Sequence, residues 1–162
     1  MSRFARSSGS LMRIGLRSVL VLCFVGAAFL AAGTASAAAG EEDARKAARL
    51  FGQALTSGQA SLLRSILPEG GKIHLAASRI VPEEGYFGAS QVEALLGDFL
   101  SQGSVRSFEL LRLESDGKTN ALAHARAVLT DRQGRPARLG IHLAFQTEEN
   151  RWVLREIKET LE

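Results

Sequence analysis

The chain has 162 residues and 20 basic against 17 acidic side chains, but Arg3, Arg6, Arg13 and Arg17 all precede residue 38 and no acidic residue does. The part after residue 37 therefore carries 16 basic and 17 acidic groups, about −1 net. With no basic patch interleaved with aromatics, nucleic-acid binding has little support. The single cysteine, Cys23, lies in the apolar N-terminal run, which leaves the remainder without a disulfide or a thiol nucleophile.

The first segment reads as an export signal. Its arginines are followed by an apolar run from Val19 to Leu30 and by small residues ending in Ala35-Ser36-Ala37. That is the order of a charged flank, a hydrophobic region and an A-x-A cleavage site. The positive flank stays on the cytoplasmic side while the rest of the chain crosses. Met12 is an alternative start, since Arg13, Arg17 and the apolar run after it make a shorter signal of the same kind. Cleavage after Ala37 takes 37 residues from 162 and leaves 125, the usual size of one domain. The expected organisation is a secretory signal over 1–37 and a single domain over 38–162, periplasmic or secreted and off the membrane once cleaved. The alternative is an uncleaved anchor with the domain outside, because apolar and small residues continue to Gly40 and about 20 are needed to span a bilayer.

After the signal, Ala44, Ala47, Ala48, Phe51, Ala54 and Leu55 recur at three and four, which predicts a helix over 41–55 with one apolar stripe. Glu41, Glu42 and Asp43 suit its first turn, and Gly58 stops it. A short helix with Leu62, Leu63, Ile66 and Leu67 on one side should end at Pro68 and Gly70-Gly71. A strand is predicted from Lys72 to Ile80, with Ile73, Leu75 and Ala77 alternating against Lys72, His74 and Ala76. Ser90 and Glu93 have the spacing of a capping box ahead of Val92, Leu95, Leu96, Phe99 and Leu100. Asp98 falls opposite that face, and Gly103 ends the helix.

Four strands come next, Val105–Glu114, Ala121–Thr130, Pro136–Gln146 and Arg151–Lys158, parted by Asp116-Gly117, Gln133-Gly134 and Glu148-Glu149-Asn150. Helices first and an antiparallel meander last argue for an α+β fold. The third of these strands carries Leu139, Ile141, Leu143 and Phe145 on odd positions, so odd faces the core. A three-residue loop, Arg132-Gln133-Gly134 with Gly134 left-handed, pairs Asp131 with Arg135. It also sets Ala127, Ala125, Ala123 and Ala121 opposite Leu139, Ile141, Leu143 and Phe145, small against large. A two-residue loop would put His124 among the leucines.

In this register His124 and His142 are cross-strand neighbours on the outer, even-numbered face. Two imidazoles at that spacing can share a metal or sense pH. Arg126 on the same face repels a cation, and no carboxylate or third histidine is expected nearby, so the expectation is a solvated pair with no metal and no cofactor. His74 reads as polar surface. Neither G-x-S-x-G, H-E-x-x-H, Walker A nor G-x-G-x-x-G occurs. Gly70-Gly71-Lys72 lacks the rest of a phosphate loop. Asp116 and Asp131 are turn residues, the direction of Glu156 is open, and no buried carboxylate stands out as a general base.

Ala54-Leu55-Thr56-Ser57-Gly58 with Leu62-Leu63, then Gly85-Tyr86-Phe87 leading to Gln91, Leu95 and Asp98-Phe99-Leu100, and finally Arg151-Trp152-Val153-Leu154-Arg155-Glu156-Ile157 resemble the nuclear transport factor two-like superfamily. Tyr86 before the helix and Phe108 in the strand after it are similar to exported bacterial members of unknown function. The resemblance implies N-terminal helices packed on a curved, mostly antiparallel sheet that forms a cone. Some members of the superfamily are isomerases or dehydratases with Asp, His or Tyr inside the cone, and others are binding or dimerisation domains. Here the histidines point outward, and only Tyr86 offers a polar tip to the pocket. The expected function is therefore a non-catalytic binding or assembly domain. Its pocket or core is lined by Phe51, Tyr86, Phe99, Phe108, Phe145 and Trp152, and its partners are a small apolar ligand or a second copy docked through the sheet. A small-molecule isomerase or hydratase is the alternative. Fold alone does not grant either.

Overall fold

An alanine-rich stripe lets a helix lie close to whatever it covers. In the computed structural model of the protein, which describes residues 39–130 and 134–160, the first helix, α1, occupies 39–57. The expected signal with its cleavage site and the Asp131–Arg135 pair lie outside the described residues. All six stripe residues are buried, and Phe51, the one large ring among them, is 1% exposed. Arg45 and Lys46 pair with Glu41 and Asp43 at 2.9 and 2.8 Å in the acidic first turns. Gly58, at φ +70°, ends the helix in the left-handed region that glycine adopts at least cost.

The second predicted helix is a tighter 3-10 stretch, Ala60–Ser65, which still delivers Leu63, Ile66 and Leu67 to the core. The strand expected over Lys72–Ile80 is shorter: β1 is Ile73–Ala76. The backbone N–H groups of Ile80 and Val81 both donate to the Ala77 carbonyl, at 2.9 and 3.0 Å, and turn the chain out of the sheet. A three-residue strand, β2 (Gly85–Phe87), returns antiparallel to β1.

Helix α2 is Ala89–Gln102, and its start corrects the expected capping box. The chain enters the helix as soon as β2 ends, so Gly88 is the cap, and its N–H donates to Oε1 of Gln91 at 2.9 Å. Ser90 lies inside the first turn. Glu93 faces outward and takes the guanidinium of Arg64 through both oxygens at 2.7–3.0 Å. The predicted apolar face survives this shift, with Val92 and Leu96 buried and Leu95, Phe99 and Leu100 packed against the core. Asp98 is exposed.

Four long strands complete the sheet: β3 (Ser104–Ser115), β4 (Asn120–Thr130), β5 (Pro136–Glu148) and β6 (Arg151–Thr160). The order is β2-β1-β6-β5-β4-β3, with every neighbour antiparallel except β1 and β6, which run parallel. The fold is α+β, helices against one mostly antiparallel sheet. The predicted register of β4 and β5 is observed: Ala121, Ala123, Ala125 and Ala127 oppose Phe145, Leu143, Ile141 and Leu139. All eight are buried. Gly134 has φ +77°, the left-handed geometry expected of it. The β5–β6 turn has only two residues, Glu149 and Asn150, both at positive φ, as a type I′ hairpin requires.

Parity is not uniform across the sheet. In β4 and β5 even-numbered residues from 122 to 144 face outward as expected, but bulges in β3 and β6 reset the count. The β3 register shifts between Val105 and Ser107 and again between Leu110 and Arg112, so Phe108 and Leu110 face Ala127 and Ala125 on the core side. In β6 the shift falls opposite Ala144/Phe145, so Leu154 faces the core before it and Ile157 after it. The extra residue of a bulge bends a strand and tightens its twist.

The β3–β4 turn is held by one carboxylate. Oδ1 of Asp116 accepts the backbone N–H groups of Lys118, Thr119 and Asn120 at 2.8, 2.7 and 3.0 Å, and Oδ2 accepts the Thr119 hydroxyl at 2.7 Å. Those donors, the Asn120 N–H foremost, hold the Asp116 carboxyl far below the usual carboxylate range. A depressed folded value stabilises the protein above the unfolded value, near pH 4, and this contribution is lost as pH falls below that. Asp116→Ala is expected to lower the urea midpoint at pH 7 and to flatten the fall in stability between pH 4 and pH 2. Denaturation followed by circular dichroism across that range checks both.

Candidate functional site

Two faces of the sheet offer themselves, and they differ in chemistry. The inner face is apolar: among the described residues no polar or charged residue is buried. Phe51, Phe145 and Trp152 belong to the buried core at 1%, 2% and 8% exposure, and Phe99 and Phe108 are partly buried against it. The Phe51 and Phe108 rings meet at 6.1 Å with their planes tilted by 59°. Phe108 fits there because Gly52 has no side chain: a Cβ at that position would run into its ring.

Tyr86 does not join them. Pairing of β2 with β1 sets Tyr86 opposite His74, on the outer face, where it is 66% exposed and its ring lies 4.9 Å from the imidazole. The pocket expectation for Tyr86 is corrected on that ground. A three-residue strand takes its orientation from its partner, and the partner's outward residue is His74.

The outer face gathers the ionisable groups into two clusters. His74 lies between two carboxylates, with Nε2 at 2.8 Å from Glu84 Oε1 and Nδ1 at 3.1 Å from Glu156 Oε1. A ring protonated on both nitrogens donates to both oxygens. Glu156 reaches His74 because it sits beside it in the parallel β1–β6 pair, which settles its direction as outward. In the second cluster His124 Nδ1 is 2.8 Å from His142 Nε2, with the rings edge to face at 4.1 Å. The expectation that no carboxylate approaches this pair is corrected: Glu114 Oε1 lies 3.7 Å from His124 Nε2 and is itself held by Arg112 Nε at 3.2 Å. Burial chiefly, with the adjoining His124 and Lys158, lowers the His142 pKa below its ordinary value, and Glu156 opposes that shift.

Glu84 and Glu114 were the participants that the sequence did not single out, and Glu156 was one whose direction it left open. The signal lay in the spacing of the apolar residues. Phe108, Leu110 and Leu113, like Trp152, Leu154 and Ile157, step by two and then by three, which marks a bulge and places Glu114 and Glu156 on the outer side. A shallow groove of about 300 Å³ opens where β1 and β6 end, lined among others by Ser78, Val81, Pro82, Glu84 and Glu159. Glu159 is already engaged there, accepting the Ser78 hydroxyl at 3.0 Å. Among the described residues no helix is long and apolar enough to cross a membrane.

No protein-family model matches the chain, and no curated protein matches it. Solved structures do. An NTF-2-like protein of unknown function from Shewanella oneidensis MR-1 is similar with a TM-score of 0.57 at 12% identity, covering 73% of this chain and 96% of that one. A DUF4783 family protein from Bacteroides fragilis YCH46 is similar with a TM-score of 0.52 at 20% identity, over 68% and 93%. An LEH-like epoxide hydrolase of M. tuberculosis is similar with a TM-score of 0.56 at 14% identity, over 75% and 80%. At such low identity the likeness bears on the fold alone: the chain has the α+β fold of nuclear transport factor two-like proteins, helices against one mostly antiparallel sheet.

Proposed function

We propose that residues 38–162 are an exported domain, periplasmic or secreted, that binds or assembles and does not catalyse, with residues 1–37 as its cleaved signal. One observation carries this reading: the buried side chains of the described residues are all apolar. Proton transfer inside the fold needs an acid or a base that is desolvated and aimed at a substrate. The inward positions carry Phe51, Phe99, Phe108, Phe145 and Trp152 instead, and these rings either fill the concave side or close around a small apolar ligand. If two copies pair, they do so through the sheet. Among the described residues no buried polar or charged residue favours the isomerase or hydratase alternative, and the likeness to an epoxide hydrolase bears on the fold alone.

Native mass spectrometry of the protein purified from its own host tests the proposal. A dimer without added mass is the expected result for assembly, and an apolar molecule carried through purification is the expected result for ligand binding. A bare monomer, or turnover of an epoxide or an enone substrate by the pure protein, would reject the reading. The same spectrum reads the N-terminus: a mass starting after Ala37 is expected, and one starting at Met1 or Met12 refutes cleavage.

A further inference from the structure

His124 and His142 are Cα partners on β4 and β5, so the backbone register fixes how close their rings come. Their facing nitrogens, Nδ1 of His124 and Nε2 of His142, are 2.8 Å apart. Imidazole nitrogens bind zinc at about 2.0–2.1 Å, which puts two of them about 2.9 Å apart at a right angle and about 3.3 Å apart at the tetrahedral angle. The observed spacing is within about half an ångström of either arrangement. An ion here replaces the one proton that a hydrogen bond between two imidazoles shares.

We infer that His124 and His142 form a two-imidazole site for a borderline divalent transition ion, copper(II) before zinc(II), with the Glu114 carboxylate beside His124 on the side away from His142. Its Oε1 is 3.7 Å from Nε2 of His124, the nitrogen turned away from His142, longer than a hydrogen bond but close enough for its charge to favour a cation at the pair. Arg112 fixes the carboxylate in turn.

The surrounding charges set the class of ion. Arg112 from β3, Arg126 on β4 and Lys158 opposite His142 on β6 are positive, while Glu114 and Glu156 are negative. Among the described residues no oxygen cage is available to a hard cation such as calcium or magnesium, which takes six or more oxygens or keeps its water. Imidazole suits copper and zinc, and affinity at a given nitrogen site peaks at copper(II). Among the described residues no group of three or more His, Cys, Asp or Glu converges on one point, so the two rings are the protein donors and the remaining positions stay open. His124 keeps 29% of its side-chain surface exposed, which gives an ion a way in and makes it exchangeable. His74 provides an internal control, because its two nitrogens point apart toward different carboxylates.

Calorimetric titration of copper(II) and then zinc(II) chloride into the metal-free full chain, in a non-coordinating buffer, is the test. One equivalent should bind, copper(II) more tightly. His124→Ala and His142→Ala should each weaken binding at least about tenfold, the loss that removal of an outer partner alone can bring. His74→Ala should leave binding unchanged. Should the alanine variants fail to fold, the unaltered protein decides by NMR, where substoichiometric copper(II) should broaden the His124 and His142 ring signals before those of His74. Absence of saturable binding, unchanged binding after loss of either paired histidine, or broadening that begins at His74 would overturn the site.

Discussion

Phe145→Ala should remove about a third or more of the stability of the domain. Phe145 is 2% exposed, lies opposite Ala121 on one side and Leu154 on the other, and is among the largest side chains in the core. Its alanine neighbours on β4 cannot expand to fill the gap, and β4 and β5 are tied along their whole length, so the site has little freedom to collapse. Truncation of a buried phenylalanine costs about 3–5 kcal/mol, more where the surroundings stay rigid. A domain of this size has a total of about 5–15 kcal/mol. The urea midpoint is therefore expected to fall by roughly a third or more. A loss below about 1 kcal/mol would mean that the alanines of β4 do not hold the sheet apart at this point.

A second large effect is expected from adding a single methyl group. Gly52 lies in the middle of α1, where alanine is intrinsically the better helix former by about 1 kcal/mol. The space beside it belongs to the Phe108 ring, and a Cβ there would overlap it. Gly52→Ala should thus destabilise the protein by about 1–3 kcal/mol despite the gain in helix propensity. Gly52→Val should be worse. Combining Gly52→Ala with Phe108→Leu should recover part of the loss, a coupling that a double-mutant cycle in urea measures directly. Additive effects of the two substitutions would show that the helix and β3 do not press on each other there.

Both effects rest on features whose legibility in the sequence differs. The β4–β5 register was readable because alanines alternate with polar residues on one strand, large aliphatics alternate on the next, and Gly134 fixes the turn between them. From that register came the outward placement of His124 and His142. Glycine at position 52 carried no visible reason, since its partner is a ring some fifty residues away in sequence. Bulges were harder still: one inserted residue reverses every later side chain, and the reversal in β3 and β6 concealed which carboxylates approach the histidines. Tyr86 was misplaced for a related cause. Its strand is too short to show any alternation, and only the pairing with β1 decides where it points. Ser90 had the right spacing for a cap, but the end of β2 starts the helix two residues earlier, at Gly88.

The parallel contact between β1 and β6 also governs when the molecule can exist at all. β1 and β2 join the rest of the sheet only through the last strand, and the Leu154 N–H reaches back to the Ile66 carbonyl at 2.7 Å. A growing or translocating polymer that lacks β6 thus leaves β1 and β2 with no strand of the sheet to pair with, and closing such a distant pairing is slow. Pairing that waits for β6 leaves this edge of the sheet open until that strand is made, which suits the proposed export, where a polypeptide passes a narrow pore before it takes shape.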